Sequence, residues 1–127
     1  MAIAATKSLA LRAESHGGDA GQSMRRTLYC YAAGCLARTL RELTEVQRIA
    51  GRAAVERGYQ LGPLFVEESC AGQAMHTLMD AVSAGEGTAA VAVPHRGHLI
   101  PLGQPRAWEW LLEELTGHPL VLTSRAP

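Results

Sequence analysis

The chain has 127 residues, the size of one domain, and its 47% apolar content is enough to build a core. Its 12 Lys and Arg against 12 Asp and Glu leave no net charge, which removes the general electrostatic case for binding nucleic acid or a membrane surface. An aromatic content of 5% leaves few platforms on which single-stranded bases would stack. No apolar run approaches the length of a membrane span. Met1–Leu11 is mildly apolar and lacks the core and cleavage site of a secretory leader. Cys30, Cys35 and Cys70 are odd in number and have no framework spacing, which fits a reducing cytoplasm.

Residues 1–25 read as a flexible, mildly basic tail. Ser15–Ser23 is polar and Gly-rich, with too little apolar surface to bury. Residues 26–127 read as an α/β domain. Leu28–Ala33 is short and continuously apolar, as a strand covered on both faces must be, and Gly34 ends it. Leu36, Leu40 and Leu43 then recur at helical spacing. Thr44–Gln47 has the form of a capping box, and Val46, Ile49, Ala50, Ala53 and Ala54 continue an apolar stripe to Gly58. The pattern leaves open whether 36–57 is one helix or two.

Gln60–Glu67 reads as the second strand. Met75, Leu78, Met79 and Val82 mark an amphipathic helix that Gly85 closes, with Ser69 as its natural N-cap. Ala89–Pro94 is the third strand. Pro105 suits the first turn of a last helix whose buried stripe is Trp108, Leu111, Leu112 and Leu115. Gly117 follows it, and Leu120–Thr123 is the fourth strand. Strands alternating with helices predict a three-layer α/β fold: a mainly parallel sheet of at least four strands, with helices on both faces.

Several stretches carry a family resemblance. They are Leu28–Gly34, Arg57–Tyr59 followed by Phe65–Ser69, Leu78–Gly85, and Val91–Leu102. From Thr27 to about Thr123 their order and spacing resemble the N-terminal catalytic domain of serine recombinases, the resolvase/invertase family. The resemblance implies that family's parallel-sheet fold and an association with DNA, direct or through a partner. The family attacks a DNA phosphodiester with a serine just after the first strand, and Ala33 stands at the matching place. The family's arginine two residues earlier falls on Tyr31. The arginine opening its second helix falls near Met75, and its loop arginines fall on His98 and Pro101. Phosphoryl transfer needs a nucleophile and fixed cations around the transferring phosphate. The family's long dimerisation helix and helix-turn-helix domain have no counterpart in these residues. The resemblance therefore implies a catalytically inactive, trimmed version with no catalytic residues, acting as an interaction or regulatory module.

Independently of that resemblance, ligands of open α/β sheets bind at the carboxyl ends of the strands. That rule singles out Ala33, Gly34, Glu68, Ser69, His95, Arg96 and His98 as a candidate ligand or partner site. A small enzyme or ligand-binding domain built on these loops is the alternative reading. Glu67 and Glu68 are adjacent, so an extended strand points them to opposite faces. His95 and His98 with Cys35 or Cys70 have the donors for zinc, but no second pair has metal-site spacing. No metal and no cofactor is expected. Cys30 reads as a buried apolar residue, and Cys70 as a helix-opening residue. Trp110 lies two positions from Trp108 and so faces elsewhere. With Leu99, Ile100 and Leu102 it forms a candidate interface for a homodimer or a protein partner.

Overall fold

The computed structural model describes residues 26–124 except Cys70 and Glu86. The readings of residues 1–25 as a tail and of Cys70 as a helix opener lie outside the described residues. The chain runs β1 (Arg26–Ala33), α1 (Leu40–Arg57), β2 (Gln60–Glu67), α2 (Gln73–Ala84) and β3 (Thr88–Val93). A 3-10 helix (Arg96–Leu102), α3 (Pro105–Thr116) and β4 (Val121–Leu122) complete it. The four strands form one sheet in the order β2-β1-β3-β4, and every pairing is parallel. From β1 the chain steps outward to β2 and then returns past β1 to β3. Because crossovers between parallel strands are right-handed, opposite steps place their helices on opposite faces.

The two faces are written in the alternation of the strands. Leu28, Cys30, Ala32, Leu64, Val66, Ala90, Ala92 and Val121 cluster with Ala50 and Ala54 of α1. Tyr31, Phe65, Val91 and Val93 cluster with Met75 and Leu78 of α2, Leu99 of the 3-10 helix and Leu112 of α3. β2 is an edge strand. It gains a residue against β1 where Leu61 and Leu64 pair with Leu28 and Cys30. Pro63, which has no N–H to give a ladder, sits in this irregularity. Gly62 beside it has no room for a side chain, since a Cβ would lie 2.7 Å from Thr27 Cγ2.

The helices differ from expectation in three places. The capping box is Thr39 with Glu42, not Thr44 with Gln47, and 40–57 is a single helix. Leu36 therefore falls in a turn, and Leu36 and Leu40 are exposed rather than part of the apolar stripe. Second, α2 opens at Gly72 with φ 78°, and the Ser69 hydroxyl accepts from the Ala71 N–H in a local turn instead of capping the helix. Third, Leu111 is exposed, and Leu112 is the buried residue of α3. Gly58 and Gly117 close α1 and α3 in the left-handed conformation, as their positions require. Among the described residues no helix is long and apolar enough to cross a membrane.

Candidate functional site

The carboxyl ends of β1, β2 and β3 converge, and two side chains organise them. The first is Glu67, the last residue of β2. It follows Phe65 by two positions, so the strand alternation turns it toward α2, where it is buried. Its Oε1 accepts from the Tyr31 hydroxyl at 2.9 Å and from the Met75 N–H at 3.1 Å. Its Oε2 accepts from the Ala74 N–H at 3.2 Å. The carboxylate thus takes the unpaired donors and the positive dipole end of α2, the place where an external anion would otherwise bind.

The second is His98, on the 3-10 helix after β3. Its Nδ1 accepts the Ala33 N–H at 2.9 Å, so in the neutral ring the proton is on Nε2. His98 is 3% exposed. Burial, reinforced by the neighbouring His95, pushes its pKa down to about 4. The two imidazole rings meet edge to face at 4.7 Å. His95 Nδ1 accepts the Gly97 N–H at 3.1 Å and so caps the 3-10 helix.

Arg96 lies on the other side of this loop. Its Nε and Nη2 reach the two oxygens of Glu109 on α3 at 2.7 and 3.1 Å. That fork holds the Glu109 carboxyl below the usual range and raises the guanidinium. The strand-end residues therefore divide. Ala33 and His98 are joined and buried, Arg96 is drawn toward α3, and Glu68 and Ser69 are exposed on the β2 side. Of the expected interface, Leu99 is fully buried and Leu102 is half-buried against the core. Ile100 and Trp110 are exposed, at 61% and 59%.

Beside the filled crevice lies an open one. A cleft of about 400 Å³ sits where β1 and β2 end and α1 begins. Gly34, Cys35, Ala37, Arg38, Leu43, Val66 and Glu68 line it. Gly34 fixes its floor. Its N–H donates to the Glu67 carbonyl at 2.7 Å, and a Cβ there would lie 2.7 Å from the same oxygen. Strand-end position alone pointed to Gly34 and Glu68. Arg38 and Cys35 were missed as lining residues, and the signal for them was their place in the turn between β1 and α1. Among the described residues no three His, Cys, Asp or Glu side chains converge as a metal site would require. No family model matches this chain, and neither a curated protein nor a solved structure matches it.

Proposed function

We propose that this chain is a catalytically inactive, resolvase-like module that works through binding. One observation carries the reading. Of the five positions that resemble the recombinase catalytic set, four are core positions here and Pro101 is half-buried. Tyr31, Ala33, Met75 and His98 are each at most 3% exposed. Their polar groups are also engaged internally: the Tyr31 hydroxyl on Glu67, the Ala33 N–H on His98, and the Met75 N–H on Glu67. A phosphodiester at this place would find no nucleophile and no fixed cation cluster. Arg96, on the helix that carries His98, is held by Glu109.

Function then falls to surfaces. Ile100 and Trp110 present large apolar side chains to solvent, beyond what a closed core needs. They suit a second copy of this chain or a protein partner, with any DNA association made through that partner. The decisive experiment is nicking of supercoiled plasmid by the purified protein, with and without divalent metal. The expected result is no cleavage. Turnover that disappears on a substitution within 28–35 or 95–101 would overturn the reading. A second reading, a small-ligand domain, is favoured by the cleft at Gly34 and Glu68.

A further inference from the structure

We propose that the chain's own N-terminal segment, Ala2–Ala13, docks as a helix on the half of the α1 face that lies over β3 and β4. The proposal is independent of the recombinase resemblance and of the cleft beside Gly34.

The connections between the described strands put no helix over that half. α1 belongs to the step from β1 to β2 and packs on those two strands. α2 and α3 belong to steps in the opposite direction and lie on the other face. Among the described residues, the helical side chains in the cluster on the α1 face all come from α1. Yet Ala90, Ala92 and Val121, which β3 and β4 turn to this face, are 1%, 0% and 7% exposed within a single chain. Alanine side chains rise too little above a sheet to shield one another, so further residues of the same chain must cover them.

Two stretches of chain lie beyond the described ends. The three residues after Ser124 extend about 10 Å at most. They leave from the carboxyl ends of the strands, where the Ser124 N–H donates to the Pro94 carbonyl at 2.8 Å. β3 is about 20 Å long, so they cannot return over it. The 25 residues before Arg26 arrive at the other end, because Arg26 pairs with Thr88, the first residue of β3. Residues 14–25 span about 40 Å when extended, enough to turn back onto the sheet. Within them, Ser15–Ser23 has the polar, Gly-rich composition of a linker.

The segment before that linker has the composition of the cover. Five of the twelve residues in Ala2–Ala13 are alanine, and none is Gly or Pro. Twelve residues of helix are about 18 Å long, close to the length of β3. Ala2, Thr6, Leu9 and Ala13 recur at helical spacing, and on a helix Lys7 and Leu11 fall on the opposite side. Small residues let the helix lie close on a strip that is itself mostly alanine. Leu9 is the one long apolar side chain in the stripe.

The direct test is a nuclear Overhauser experiment on the full chain, with its Ala, Leu and Val methyl groups labelled. The Leu9 methyls should give cross-peaks to methyls of Ala90, Ala92 or Val121. A sample mixed from differently labelled chains should show that these arise within one molecule. Two matched variants give a second readout. Leu9→Asp removes the burial of one leucine and should speed amide exchange across β3 and β4 about tenfold or more, while Leu11→Asp should leave it at the wild-type rate. Absence of any cross-peak between residues 2–13 and those three side chains would overturn the proposal. So would cross-peaks that arise only between molecules, which would give this face to a second copy, or equal exchange rates in the two variants.

Discussion

The Ala33 N–H donates to His98 Nδ1 at 2.9 Å across 65 residues of sequence. This bond ties the end of β1 to the helix that follows β3, and so closes the crevice at the switch point of the sheet. The receiving nitrogen must be unprotonated. The fold therefore depends on a neutral imidazole in a place that water scarcely reaches.

This dependence sets a pH response. His98 has its folded pKa depressed from 6.5 to about 4, so the unfolded chain binds the proton more readily. Its contribution is fully present above about pH 6.5 and is lost as pH falls toward 4. The loss should be on the order of 1–3 kcal/mol. Urea midpoints at pH 7.5 and 4.5 would measure it. His98→Asn, whose side-chain oxygen can still accept the Ala33 N–H, should flatten this part of the profile. An unchanged difference between the two pH values in that variant would assign the effect to other groups.

Glu67 makes a second, separable prediction. Glu67→Ala leaves the Tyr31 hydroxyl and the Ala74 and Met75 N–H groups without their acceptor. Stranding buried donors costs about 1–3 kcal/mol each before any relaxation, so the variant should be severely destabilised. Glu67→Gln keeps one oxygen acceptor and should lose less. Equilibrium unfolding of both variants checks the order. If Glu67→Ala is as stable as Glu67→Gln, the carboxylate is not the cap of α2.

The sheet was legible in the sequence because a strand covered on both faces has no polar positions to spare. Leu28–Ala33 and Ala89–Val93 show this directly. Helix stops were legible because Gly58 and Gly117 occupy a backbone region that favours glycine. The start of α1 was not. Thr39 with Glu42 and Thr44 with Gln47 both satisfy the capping pattern, and only packing against the sheet decides between them. The strand-end network was hidden for a similar reason. Glu67 and His98 look like reactive groups when read along the chain. Their partners, Tyr31 and Ala33, stand 36 and 65 residues away, and the pairing of β1 with β2 and β3 brings them together. Arg96 was equally unreadable as the partner of Glu109, 13 residues on.

Two glycines should respond in opposite directions to alanine. Gly51 lies inside α1, and a Cβ there would meet only Leu61 Cδ2, at an ordinary 3.6 Å. Gly51→Ala should stabilise by about 0.5–1 kcal/mol through helix propensity. Gly34→Ala would set a Cβ 2.7 Å from the fixed Glu67 carbonyl oxygen and should lower stability, with the β1–β2 junction forced apart. Thermal melts of the two variants should move to opposite sides of the wild-type midpoint. A Gly34→Ala midpoint at or above wild type would show that the junction yields.

The two tryptophans of α3 test whether a surface or a core carries the proposed association. Trp108 is half-buried against the core, and its Nε1 donates to the Leu102 carbonyl at 3.1 Å. Trp108→Ala should cost about 3 kcal/mol, the scale of other large-to-small core changes, and loosen the 3-10 helix. Trp110 is 59% exposed, so Trp110→Ala should change stability by less than about 0.5 kcal/mol. If Ile100 and Trp110 form the centre of a two-fold contact, the same substitution should weaken the dimer by about 2 kcal/mol or more, the range of interface anchors. Light scattering across a concentration series, run beside urea unfolding, separates these effects. A wild-type chain that stays monomeric at high concentration would end the homodimer proposal and leave Ile100 and Trp110 to a different protein. A large loss of stability in Trp110→Ala would place that side chain in the packing of the domain instead.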